Sequence, residues 1–184
     1  MTDLQTGVMD KVLVIDPGSD IGADICVEIA VRVEGRLAAL GTQVLLTRSA
    51  GNEVMRDEAS RADFANRIGA DLLVSIHCDE VASPHPNGVV TFYYGEPFGG
   101  IHSYSGRRLA ELIQDEVCGR TSMIDCRSLP RTWDLLRMTR MPAVRIDVGY
   151  LSNGADADRL ATTQYQDAVA DGIASAIRAF CAPN

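Results

Sequence analysis

A chain of 184 residues with 46% hydrophobic and 23% charged residues has the length of one domain and enough apolar material for a core. Its net charge of −8 argues against nucleic acid or an anionic membrane surface as the main partner. The three histidines leave little room for a histidine-rich metal site.

The five cysteines include no C-x-x-C spacing and read as reduced thiols of an intracellular chain. No signal-peptide pattern and no apolar run of membrane length is visible, so the expectation is a cytoplasmic chain without a membrane span.

Residues 1–10 read as a leader and 11–184 as one domain. Lys11 to Asp16 is β-branched and continuous, the pattern of a strand covered on both faces, and Pro17 and Gly18 end it. From Ile21 to Leu40 the apolar positions Ile25, Ile29, Val33, Leu37 and Leu40 form one helical stripe, with Gly41 placed to stop it. Gln43 to Thr47 is a second strand, and Asp57 to Ile68 a helix with Ala59, Ala62 and Ala65 inward.

Leu72 to Ile76 is a short apolar run after Gly69, a buried central strand with His77 at its C-terminal end. Val89 to Tyr94 is a fourth strand after a Pro-rich loop that leaves His85 exposed. A helix over 105–118 follows, then a short strand at Trp133 to Arg137, and a further strand from Ala143 to Val148. Ser152 or Asn153 caps a helix over 155–161, and Gln164 to Phe180 is the last helix. This alternation predicts a single-domain α/β fold: a mostly parallel, twisted sheet of about six strands with helices on both faces.

In such sheets, sites form at the C-terminal ends of strands. His77 ends one strand, Asp16-Pro17-Gly18-Ser19 ends the first, and Asp147 ends a later one. Taken singly, each has a bland explanation: a histidine capping a strand, a turn, a carboxylate bonded to backbone amides.

Several segments together resemble the zinc-dependent N-acetylmuramoyl-L-alanine amidases of the amidase_3 family. They are Val-Ile-Asp-Pro-Gly (14–18), Leu-Thr-Arg (46–48), Arg61 with Ala65-Asn66, Ala-Asp-Leu-Leu-Val-Ser-Ile-His (70–77), Met-Pro-Ala (141–143) and Gly-Tyr-Leu-Ser-Asn (149–153). They span about residues 12–181 in the family's order. The resemblance implies cleavage of the amide between N-acetylmuramic acid and L-alanine in peptidoglycan. It also implies a zinc held by a histidine after Asp-Pro-Gly, a glutamate at the start of the first helix and the histidine of Ser-Ile-His, with a further glutamate as general base. Three protein ligands and an open position for water are what catalytic zinc requires.

This chain departs from that pattern. Ser19 stands at the first histidine position, and Gly22 or Ala23 where the glutamate belongs; both ligands are lost. Only His77 is retained, and the general-base position holds the shorter Asp147. Asp20 is a possible substitute ligand beside His77 and Asp147. Arg145, usually apolar in the family, shares a strand face with Asp147, so it and Asp79 are expected to line the pocket. Arg145 is expected to pair with Asp147 or Asp20 and to fill part of the metal's space.

The expectation is therefore no cofactor in a family that uses zinc. The pattern is similar to a degenerate, CwlM-like branch of the family. That resemblance implies a cytoplasmic regulator of peptidoglycan precursor synthesis that contacts the enolpyruvyl transferase starting the pathway. The competing readings are a working metal-dependent amidase and a module that binds muropeptides without cleaving them.

Overall fold

The structure, a computed structural model, describes residues 7–48 and 57–183. Its strands are β1 (Val12–Pro17), β2 (Gln43–Leu46), β3 (Leu72–Asp79), β4 (Val89–Tyr94), β5 (Asp125–Arg131) and β6 (Ala143–Tyr150). Its helices are α1 (Ala23–Ala38), α2 (Glu58–Arg67), α3 (Tyr104–Thr121), α4 (Asp134–Met138), α5 (Gly154–Leu160) and α6 (Thr163–Cys181). One six-stranded sheet runs in the order β2-β1-β3-β6-β4-β5. Every neighbouring pair is parallel except β4 with β6.

The two faces of the sheet are covered unequally. Leu13, Ile15, Val74, Ile76, Val144 and Ile146 point to one face and pack with the stripes of α1, α3 and α6. Val14, Leu73, Phe92 and Ala143 point to the other, where, among the described residues, the shorter α2 and α4 pack through Ala62, Ala65, Leu135 and Leu136. A continuous apolar strand serves both faces because alternate side chains point opposite ways. The thinner cover leaves room for polar groups where β1, β3 and β6 end.

Two elements differ from the sequence reading. Trp133 to Arg137, expected as a strand, is the start of the short helix α4. Its Leu135 and Leu136 are both buried in the same cluster on one face of the sheet, whereas adjacent residues of a strand would point to opposite sides. β5 was not foreseen. It is an edge strand with a bulge against β4, Arg127 at φ 70 and Pro130 within it, so it carries no apolar alternation.

Of the expected leader, residues 1–6 lie outside the described residues. Residues 7–10 form a turn on the domain, with Val8 buried and its carbonyl accepting from Thr42 Oγ1 at 3.0 Å. Asn66 fixes the approach to β6. Its amide donates to Met138 O and accepts from Arg140 N, each at 2.9 Å.

Candidate functional site

Asp16, Ser75 and His77 share the thinly covered face, because β1 and β3 pair Asp16 with Ser75 and His77 follows two residues on. Ser75 Oγ donates to Asp16 Oδ2 at 2.6 Å and lies 2.9 Å from His77 Nε2. With its proton committed to Asp16, the serine oxygen accepts from His77, which assigns the imidazole proton to Nε2 and leaves the lone pair on Nδ1. The Asp16 carboxylate, fully buried, also receives Thr47 Oγ1 at 2.5 Å and Arg61 Nε at 3.1 Å. Three separated motif segments thus meet on one carboxylate.

Burial holds His77 far below its ordinary value, at about 3, and the guanidinium groups of Arg145 and Arg61 push the same way. Its imidazole is neutral at physiological pH. The ring lies against Gly18: a Cβ there would come within 2.6 Å of Nδ1. The glycine of Asp-Pro-Gly is therefore needed for the close approach of backbone to ring.

β6 brings the opposing charges. Asp147 pairs in register with His77, and Arg145 with Ser75. Arg145 Nε donates to Asp147 Oδ1 at 2.7 Å. Its guanidinium also stacks on Trp133, 4.8 Å from the ring centroid, while Trp133 meets Phe92 edge-on and Arg131 lies over both rings. Arg145 is thus held by a carboxylate at one end and an aromatic face at the other. Burial raises the Asp147 carboxyl above its ordinary value, Arg145 opposes this, and nearby Asp79 adds to it. Asp79 is half-buried, with its carboxylate turned to Glu80 N at 2.8 Å.

The lost ligand positions have their own geometry. Ser19 is half-buried and Asp20 exposed in the turn between β1 and α1. Gly22 caps α1 at φ 71, and a Cβ there would come within 2.8 Å of Cys78 Cβ and 2.9 Å of Leu151 Cδ1. A glutamate at Gly22 would be strained by the left-handed backbone and crowded by Cys78 and Leu151. Among the described residues, no three His, Cys, Asp or Glu side chains group closely enough to hold a metal ion. His77, Asp20 and Asp147 form no such set, and the residues present do not fit the zinc that the family pattern implies.

The sequence reading missed the Asp16–Ser75–His77 chain and the Trp133 stack. The signal for the first lay in the spacing of Ser75 and His77, two apart on a strand. The second depends on a helix read as a strand.

Residues 14–179 match the family model of N-acetylmuramoyl-L-alanine amidase, Amidase_3. N-acetylmuramoyl-L-alanine amidase CwlM of Mycobacterium tuberculosis is 45% identical over 85% of this chain and 38% of its own length. The corresponding figures for N-acetylmuramoyl-L-alanine amidase LytC of Bacillus subtilis are 30%, 92% and 35%. The chain therefore spans well under half the length of these two relatives. The crystal structure of the N-acetylmuramoyl-L-alanine amidase of Clostridium difficile 630 superposes with a TM-score of 0.82 at 25% identity, over 92% of this chain and 96% of that one. The thinly covered sheet face, with its histidine at the end of β3, is carried on the amidase architecture, and the chain belongs to the Amidase_3 family of N-acetylmuramoyl-L-alanine amidases.

Proposed function

We propose that this chain keeps the amidase fold without its zinc chemistry and acts in the cytoplasm as a regulator of peptidoglycan precursor synthesis by protein contact. The observation that carries this reading is the Arg145–Asp147 bond. A permanent cation sits on the carboxylate at the general-base position, where it repels a second cation and competes for the proton acceptor. Ser19 and the constrained Gly22 at the other ligand positions agree with it. Without a metal, water keeps a pKa near 15.7 instead of about 7, and the hydroxide nucleophile is scarce at neutral pH.

The partner in this reading is the enolpyruvyl transferase at the start of the pathway, as the likeness to the CwlM-like branch implies. The test combines three measurements on the purified chain: zinc by elemental analysis after dialysis, release of L-alanine peptides from peptidoglycan, and titration with the transferase. The expected result is little zinc, no chelator-sensitive release and a saturable complex. Stoichiometric zinc together with hydrolysis abolished by chelator and by His77→Ala identifies a working amidase and overturns the proposal. Saturable muramyl-peptide binding without cleavage or transferase contact identifies a muropeptide-binding module and overturns it equally.

A further inference from the structure

On the side of β3 opposite His77, two thiols face each other. Cys78 follows His77 in the strand and points into the core, and Cys26 reaches it from the first turns of α1. Their sulfurs are 3.9 Å apart, and the residues are 52 positions apart in sequence. Both belong to elements of the packed core: Cys26 is 0% exposed and Cys78 6%. The other three cysteines, Cys118, Cys126 and Cys181, are only half-buried.

We propose that Cys26 and Cys78 are a redox-sensitive pair that peroxide converts to a disulfide, stapling the start of α1 to the end of β3. A disulfide needs its sulfurs at about 2.05 Å. From 3.9 Å the two sulfurs have to close by about 2 Å, a movement that rotation about the two Cα–Cβ bonds has to supply. The hydrogen bond with Cys78 lowers the Cys26 thiol below its ordinary value against the opposing effect of burial, and the same bond and burial push Cys78 up, so Cys26 is the sulfur that ionises. A water-sized oxidant that enters over Cys78, the more exposed of the two, meets it there. The Cys26 thiolate attacks hydrogen peroxide: an S–O bond forms, the O–O bond breaks and hydroxide leaves, giving a sulfenic acid. The Cys78 sulfur then attacks that sulfenic sulfur: the S–S bond forms, the S–O bond breaks and water leaves. In sum two thiols and one peroxide give one disulfide and two waters, with two electrons passed from sulfur to oxygen.

The staple acts on the turn above it. The backbone at Gly22 lies directly on Cys78, and α1 starts one residue later. Drawing the two sulfurs together fixes the turn bearing Ser19 and Gly22 against β3. It also closes a long loop in the unfolded chain, which favours the folded form.

The test uses a chain with Cys118→Ser, Cys126→Ser and Cys181→Ser, so that this pair holds the remaining thiols. The folded protein is treated with equimolar hydrogen peroxide, then denatured in iodoacetamide. The expected result is a mass lower by about 2 Da, no alkylation, and a peptide joining Cys26 to Cys78, all reversed by dithiothreitol. The oxidised form melts at a higher temperature, and adding Cys26→Ser abolishes both the link and the shift. Two thiols that still alkylate fully after peroxide, or that overoxidise separately to sulfinic acids, overturn the proposal. If the triple substitution prevents folding, the wild-type chain is mapped in the same way. Its free thiols then fall from five to three through the Cys26–Cys78 link, and any other pairing overturns the proposal.

Discussion

Arg145 and Asp147 lie two residues apart on one face of β6, and the guanidinium Nε of the first donates to the carboxylate of the second at 2.7 Å. Asp147 is 2% exposed, so its charge depends on this partner. Burial already places its folded pKa above the unfolded value of 3.8, with Arg145 pulling it down. Arg145→Leu removes that pull and raises the folded value further.

The consequence has a definite sign. A carboxyl whose folded pKa exceeds its unfolded one keeps its proton in the fold after the unfolded chain has released it. Stability then falls as pH rises from the unfolded pKa towards the folded one. Arg145→Leu is therefore expected to cost little near pH 4 and on the order of 3 kcal/mol near pH 8. Urea unfolding at the two pH values checks this, and an equal loss at both refutes the pairing account.

The Asp16 carboxylate is the second buried charge of the site. Arg61→Leu leaves it without its ion-pair partner and is expected to cost about 3–5 kcal/mol. Ser75→Ala removes one neutral link and strands His77 Nε2, at about 1–2 kcal/mol. Chemical denaturation of both variants tests the ranking. A milder effect from Arg61→Leu than from Ser75→Ala would mean that the guanidinium does not hold Asp16.

Ser19→His returns one ligand only. The helix-start carboxylate is still missing, Gly22 cannot supply it, and Arg145 remains, so stoichiometric zinc is not expected to survive dialysis. Adding Ala23→Glu and Arg145→Leu gives the site three candidate ligands and removes the repelling cation. Elemental analysis of the two variants separates the cases. Tight zinc in Ser19→His alone contradicts the view that several parts of the site are missing.

If the chain works through its surface, the pocket histidine is not part of the contact. His77→Ala is then expected to change transferase binding by no more than about 0.5 kcal/mol while the fold stays intact. Calorimetric titration, with circular dichroism as the control for folding, measures this. A large loss of affinity in a folded variant makes the pocket the working surface.

The central strands were legible because burial on both faces forces an unbroken apolar run, as in Leu72–Ile76 and Val12–Ile15. β5 was not, because an edge strand has a solvent-facing side and this one adds a bulge and a proline. Trp133 and two leucines suggested a strand, yet the segment is too short for periodicity to decide, and contact with α2 and β4 makes it helical. In the site, Arg145 facing Asp147 followed from strand alternation alone. The Asp16–Ser75 bond did not, because it depends on the register between two strands that are distant in sequence.

The single antiparallel neighbour, β4 against β6, turns the last two strands of the sheet end for end. His77 and Asp147 sit where β1, β3 and β6 finish, whereas β4 finishes at the opposite rim. The turn that follows it, closed by a bridge between Gly95 and His102, projects Phe98 and Ile101 into solvent there, with Phe98 at φ 67, and Tyr104 at the start of α3 is exposed beside them in sequence. The molecule thus has two poles separated by the length of the strands. A body resting on the turn pole leaves the histidine pole uncovered, so substitutions at Phe98 and at His77 act on separate ends of the protein and are expected to combine additively.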